Sequence, residues 1–391
     1  MQFITCFLAA LKLGLTSFGG PVAHLGYFRD AYVVKHGWIS EERFAELLAL
    51  CQFLPGPASS QLGAIIGYEK GGWNGALGSW LGFTLPSAIL MILLAVGLQP
   101  ISDALGTGWI HGLKLAAVAI VALAVIGMYK KLCPGRPQLL VALGSLALLL
   151  LASQAWLQPL VILLGGLVGA YLFSESKVHV KKEDREKRGK LPILSVVGIL
   201  AFIGAICCLP LLAQMGSGAN AVAGLLRAGS LVFGGGHVVL PLLETSFVGG
   251  GMMEQDSFLA GYGAAQAVPG PMFTLASYIG SSVGIGGNPW LGGVIGIVAI
   301  FAPGMLLLVV GVPLWNWLKA MPRAKGAVIG ANAAVVGLLA AALVHMFKAK
   351  IVSEPLDLLI VIPIFLALGT RKIPAWLAVL ISGVAGGLIW Q

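Results

Sequence analysis

Charge is what this chain has least of: 10% of its 391 residues are Asp, Glu, Lys or Arg, against 58% that are hydrophobic. Soluble proteins carry about 25% charged residues, so the scarcity excludes a solvated globule and makes this an integral membrane protein. Cysteine is scarce as well. Cys6, Cys51, Cys133, Cys207 and Cys208 are odd in number and lie in or beside apolar runs, which excludes a disulfide framework or a metal-ligand spacing. They read as small buried hydrophobes. No nucleophile motif, phosphate loop or metal cluster occurs, so the chain is not expected to be an enzyme or to hold a cofactor. The start, Met1-Gln2-Phe3-Ile4-Thr5, lacks the basic stretch of a secretory signal, and the first segment is expected to stay as structure.

Glycine, in contrast, is abundant at 55 residues, and its placement repeats. Phe18-Gly19-Gly20-Pro21 followed by Pro55-Gly56-Pro57 returns as Phe233-Gly234-Gly235-Gly236 followed by Pro269-Gly270-Pro271. The offset is 215 residues at the first motif and 214 at the second, which marks an internal repeat. In that register Leu11, Lys12, Gly14 and Phe18 fall on Leu226, Arg227, Gly229 and Phe233, and Phe44 and Gln52 fall on Phe258 and Gln266. Lipid tolerates broken backbone only where protein or a wet cavity satisfies the freed amides and carbonyls. Matched interruptions in two halves therefore point to a transporter's binding site.

Along the chain, an apolar run at 3–18 breaks at Gly19-Gly20-Pro21, and a second near 44–54 breaks at Pro55-Gly56-Pro57 and resumes to Tyr68. Each piece is at or below the about 20 residues that span the hydrocarbon core. They read as two hairpins of short or broken helices. Full spans are predicted at 72–98, 108–129, 137–154 and 158–173. Ser174 to Lys190 mixes seven bases with four acids and reads as a solvated linker. An extra span at 192–213 has no counterpart, the second repeat begins near Asn220, and spans at 289–315, 325–346, 355–369 and 374–390 complete it. The organisation is a first repeat at 1–173, a basic linker plus one extra helix at 174–219, and a second repeat at 220–391.

If the hairpins make no net crossing, five spans separate the repeats and the second enters from the opposite face. The positive-inside rule agrees. With the N-terminal loop inside, Arg29, Lys35, Arg43, Lys70, Lys130, Lys131, Arg136, the linker bases, Lys319, Arg323, Lys325, Arg371 and Lys372 are cytoplasmic. Only Lys348 and Lys350 fall outside, and the loop with Glu254 and Asp256 faces outward without a base. Topology thus accounts for the formal net charge of +9, and no nucleic acid is called for. The expected fold is an all-α polytopic membrane protein of two inverted-topology repeats with broken or re-entrant helices near the midplane.

Three bases remain inside apolar segments: Lys12, Lys114 and Arg227. A charge near the bilayer centre costs at least about 2.5 to 3.5 kcal/mol. Lys12 and Arg227 recur at equivalent places, so they are expected to converge on an anion; Lys114 aligns with Val328 and is expected to snorkel. A helix beginning after each break presents free amides and a positive dipole end. Gly19, Gly20, Gly234, Gly235, Gly56 and Gly270 let backbone approach an oxyanion, and Gln52 and Gln266 add uncharged donors, with Ser17, Ser59, Ser60 and Thr274 as further hydroxyls. His24 and His237 follow the glycine breaks and Glu244 stands where Arg29 does; these three are the candidates for moving a proton.

Phe18-Gly19-Gly20-Pro21 with His24-Leu25, Gln52-Phe53-Leu54-Pro55-Gly56-Pro57, and their second copies resemble the chromate transporter family in its long, two-domain form. The resemblance covers nearly the whole chain, with Gly236 departing from the proline at Pro21. It implies a multi-pass protein of a prokaryotic inner membrane that exports chromate, driven by the proton-motive force. Chromate or a related oxyanion and the lipid bilayer are the expected partners, with a homodimer allowed. Uptake or exchange of sulfate or another oxyanion, and a passive anion channel, are the alternatives.

Overall fold

The computed structural model describes residues 1–152, 154, 156–173, 193–233, 235–318, 321–370 and 372–390. The predicted linker at 174–190, Gly234 of the second glycine break, Lys319 and Arg371 lie outside the described residues. No strand occurs among those described, and the protein is an all-α polytopic membrane protein.

Glycine and proline set the element boundaries. α1 (Gln2–Thr16) ends at Ser17, and Gly19, at a φ of 98° that favours glycine, turns the chain into α2 (Gly20–Phe28). A π-helical stretch at Arg29–Lys35 leads to α3 (Glu41–Phe53), capped by the Ser40 hydroxyl accepting from the Arg43 amide at 3.2 Å. Pro55-Gly56-Pro57 ends α3, and α4 (Ala58–Leu105) follows, broken where Gly71 and Gly72 leave helical geometry. α5 (Gly108–Leu132), α6 (Arg136–Leu151) and α7 (Leu157–Leu172) complete the first half, and α8 (Ile193–Ala213) leads to the second.

The second half repeats this order: α9 (Ser217–Leu231), a short 3-10 turn at Gly236–Val238, α10 (Val239–Phe247) and α11 (Gln255–Ala267). After Pro269-Gly270-Pro271 and a 3-10 turn at Met272–Thr274 come α12 (Leu275–Ser282), α13 (Pro289–Leu318), α14 (Pro322–Lys348), α15 (Pro355–Gly369) and α16 (Ala375–Ile389). The predicted spans recur within a few residues. One difference is that the run to Tyr68 and the span from 72 form a single element, folded at the Gly71-Gly72 turn. There the two arms of α4 touch through backbone: a Cβ on Gly67 would lie 2.4 Å from the Gly75 carbonyl oxygen.

The broken segments are hairpins that return to the face they left. Gln2 at the start of α1 lies against Gly71, Arg29 pairs with Glu41, and the Arg43 Nε donates to Glu69 at 2.8 Å. The second half does the same, since Arg227 on α9 meets Ser246 on α10 and the Tyr278 hydroxyl on α12 donates to the Ser257 carbonyl on α11 at 2.8 Å. Five helices among the described residues are long and apolar enough to cross a membrane: α4, α5, most of α8, most of α13, and α14. α8 leaves Val197, Leu200 and Ile203 exposed, as a lipid-facing helix does.

Lipid tails are as apolar as leucine, so contact between helices here comes from close packing of small residues. α5 of the first half packs on α15 and α16 of the second, while α14 of the second packs on α6 and α7 of the first. A Cβ on Gly112 would sit 1.9 Å from the Ser382 carbonyl oxygen, and one on Gly330 would sit 2.0 Å from that of Gly165. Each half therefore holds a helix of the other against its own final pair, and the halves interlock.

Candidate functional site

Where α1 and α9 stop, their last carbonyls have no helical partner. In lipid they cannot turn to water. The Gly270 amide donates to the Ser17 carbonyl at 3.0 Å, and the Gly56 amide donates to the Val232 carbonyl at 2.8 Å. Ser17 immediately precedes Phe18-Gly19-Gly20, and Val232 immediately precedes the second glycine break. Each Pro-Gly-Pro is thus bonded to the glycine break of the other half, twice and in equivalent places. Gly56 and Gly270 hold φ values of 127° and 100° to aim those amides. The Phe18 ring adds a contact across the halves, 5.6 Å from that of Trp376 on α16.

The Gly56 turn is braced by Gln61, whose Nε2 donates to the Pro55 carbonyl at 3.1 Å and to the Gly304 carbonyl at 2.8 Å. Beside it opens a cavity of about 430 Å³ that reaches Gly56 of one half and Gly235 of the other. Gln52, exposed at the end of α3, lines it with Ser59, Asn332 and two lysines, Lys131 and Lys325. No Asp or Glu lines it among the described residues. A helix begins after each break, at Gly20 and Ala58 directly and at Val239 and Leu275 through a 3-10 turn.

The other residues expected at the site are placed differently. Lys12 is exposed on the face of α1 that also exposes Leu8 and Leu15, four residues before it and three after. An exposed apolar face of this kind is one from which a lysine can snorkel. Its charge is felt at the surface: His36, in the loop after the π-helical stretch, is held below the ordinary histidine value by burial and then by Lys35, Lys12 and Lys70. Arg227 is half-buried, and its Nη2 donates to the Ser246 hydroxyl at 3.1 Å. Neither base lines the cavity. Gln266 is buried with its amide against the Met272 sulfur at 3.3 Å, so only Gln52 of the glutamine pair reaches the cavity. Gly19 and Gly20 shape the first break but do not line the cavity either.

The family profile described as "Chromate transporter" matches residues 4–170 and again residues 219–387. The chain belongs to the chromate transporter family. It is 27% identical to the chromate transport protein of Pseudomonas aeruginosa over 100% of this chain and 93% of that one. It is 28% identical to the probable chromate transport protein of Synechococcus elongatus over 97% of this chain and 94% of that one. An uncharacterized transporter of Methanocaldococcus jannaschii is 26% identical over 99% of this chain and 94% of its own length. No solved structure matches.

In this family member the three proton candidates differ in freedom. His24 is fully buried between the rings of Phe28 and Phe83, with Nε2 3.2 Å from the same Ser17 carbonyl that accepts from Gly270. It is a brace of the first break. His237 Nδ1 lies 3.2 Å from the buried Tyr262 hydroxyl. Glu244 lines a separate cavity of about 230 Å³ together with His345, Gln158 and Thr245, and accepts from Gln255 Nε2 at 3.4 Å. A third cavity, of about 540 Å³, lies at the start of α5, where His111 Nε2 meets the buried Asp357 at 2.7 Å and Lys114 meets Asp256 at 2.8 Å. Lys114 is therefore paired.

Sequence reasoning missed Gln61, Asn332, Lys131 and Lys325. Asn332 carries a signal, being a lone amide in the Ala/Val-rich stretch of α14. The two lysines carry none, since the positive-inside rule already explains bases at helix ends.

Proposed function

We propose that this protein is a secondary active transporter that exports chromate, a tetrahedral oxo-dianion, from the cytoplasm across the inner membrane of a prokaryotic cell, coupled to the proton-motive force. Membership of the chromate transporter family and relatives named for chromate transport support the substrate. The observation that carries the mechanism is the cavity that touches the Pro-Gly-Pro turn of the first half and the glycine break of the second, with bases and neutral donors in its wall and no acid among the described residues. Such a wall suits an anion. Backbone at Gly235, with the side chains of Gln52, Ser59 and Asn332, offers hydrogen bonds to its oxygens, while Gly56, whose amide is held by the Val232 carbonyl, shapes the wall.

The hairpins return to their own face, so with the shorter apolar helices α6 and α7 crossing as the second arm of α4, α5 and α8 do, five crossings separate the halves, which supports an inverted-topology repeat. Lys131 and Lys325 in the cavity wall stand at helix ends counted, with Arg29, Arg43 and Lys70, among the cytoplasmic bases, and the positive-inside rule supports a cavity that opens to the cytoplasm. Alternating access then moves the interlocked halves about the two breaks, closing the inner cavity and opening one of the outer ones. Glu244 is assigned the proton. It faces an outer cavity from α10, whose other end carries the second break.

Labelled chromate uptake by everted membrane vesicles tests this reading. Uptake above vesicles lacking the protein, reduced when the pH gradient is collapsed, is the expected result. Uptake of sulfate in preference to chromate sinks the substrate, and flux indifferent to the gradient makes the protein a channel.

A further inference from the structure

The exporter reading leaves open how a dilute dianion is gathered at the cytoplasmic face, and the bases of the inner cavity address that. Lys131 stands in the last turn of α5 and Lys325 in the first turn of α14, so each half supplies one. Both side chains line the 430 Å³ cavity. Neither meets a carboxylate within 4.0 Å among the described residues, whereas Lys114, farther up α5, is held by Asp256 at 2.8 Å. Asn332 lies about 10 Å deeper along α14. Its buried side-chain oxygen has no partner among the described residues, so the amide is free to turn its N–H groups toward an anion.

We propose that Lys131 and Lys325 form a capture subsite for a tetrahedral oxo-dianion at the cytoplasmic mouth, one ammonium from each half matching its two charges, with Asn332 as the next contact inward. This rests on the exporter reading for its direction and substrate, and on the cavity for its geometry. A wall of one charge sign, set in low-dielectric surroundings, concentrates counter-ions and raises the encounter rate. The attraction is screened by salt over about 8 Å at physiological ionic strength. Capture therefore shows in KM and in salt dependence, and leaves kcat nearly unchanged.

Equilibrium dialysis of labelled chromate against the purified full chain in detergent tests it, with labelled sulfate as a second probe. Lys131→Gln and Lys325→Gln are each expected to weaken binding about fivefold and the double variant at least tenfold, with a flatter salt dependence. Lys→Arg at both positions restores binding, and Lys130→Gln, whose residue does not line the cavity, leaves it unchanged. Wild-type affinity in a folded double variant overturns the proposal, as does an equal loss in Lys130→Gln or a wild-type chain that binds neither dianion. Lysine-dependent binding of sulfate but not chromate upholds the subsite while ending the chromate reading.

Discussion

Gly56 and Gly270 look interchangeable in sequence, but their surroundings separate them. A Cβ on Gly56 would meet the Gly304 Cα at 2.9 Å, which is backbone, whereas one on Gly270 would meet the Ser87 hydroxyl at 2.8 Å, which can rotate away. Forcing a side chain to positive φ costs about 1–3 kcal/mol in either case. Gly56→Ala is expected to lower the melting temperature and chromate uptake more than Gly270→Ala does; the reverse order contradicts the packing described. Lys12 gives the opposite case. Lys12→Gln is expected to leave uptake within about twofold, because the ammonium sits on the lipid-facing side of α1; abolished uptake returns Lys12 to the site. The breaks were legible because glycine and proline in an apolar run have few other meanings. The recurrence of Lys12 with Arg227 was legible in sequence, whereas the exposed helix face it shares with Leu8 and Leu15 emerges only from the packing of α1. Gln266 shows a second limit, since a repeat preserves position in the chain while packing decides which of two equivalent side chains meets a cavity.

Among the elements, α10 is the shortest route between chemistry at two depths. Its nine residues run from the second break to Glu244 and Thr245, which face the outer cavity. In the proposed coupling, a proton gained at Glu244 acts on the break through one rigid turn-and-a-half of helix. Glu244→Gln is expected to leave chromate binding intact but to make uptake by everted vesicles insensitive to the pH gradient; a variant that still responds removes Glu244 from coupling. The seams between α5 and α16 and between α14 and α7 have a different task. Gly330→Ala drives a methyl to 2.0 Å from the Gly165 carbonyl oxygen, while Gly166→Ala meets its nearest atom at 3.7 Å. Overpacking of this kind costs about 1–3 kcal/mol, so the first variant should melt several degrees lower and the second should not. Gly112 and Gly326 stand 214 residues apart, the offset of the second motif, yet nothing local says that the helices bearing them are exchanged between halves. That is a property of tertiary packing.

For the whole molecule, the proposed alternating access lets the interlocked seams travel as units while the breaks flex. A Cβ on Gly387 would lie 3.7 Å from that of Trp109, within the separation a disulfide spans. Trp109→Cys with Gly387→Cys, in a chain whose native cysteines are replaced, is expected to cross-link the first half to the second and still transport chromate. The central claim is that the Pro-Gly-Pro turn of the first half and the glycine break of the second meet at one cavity open to the cytoplasm, and Gln52 at its wall reports on that directly. In a Gln52→Cys chain without native cysteines, a membrane-impermeant maleimide should label everted vesicles but not intact cells, and the labelled protein should no longer take up chromate. Labelling from the outer face alone, or full uptake after labelling, contradicts the account.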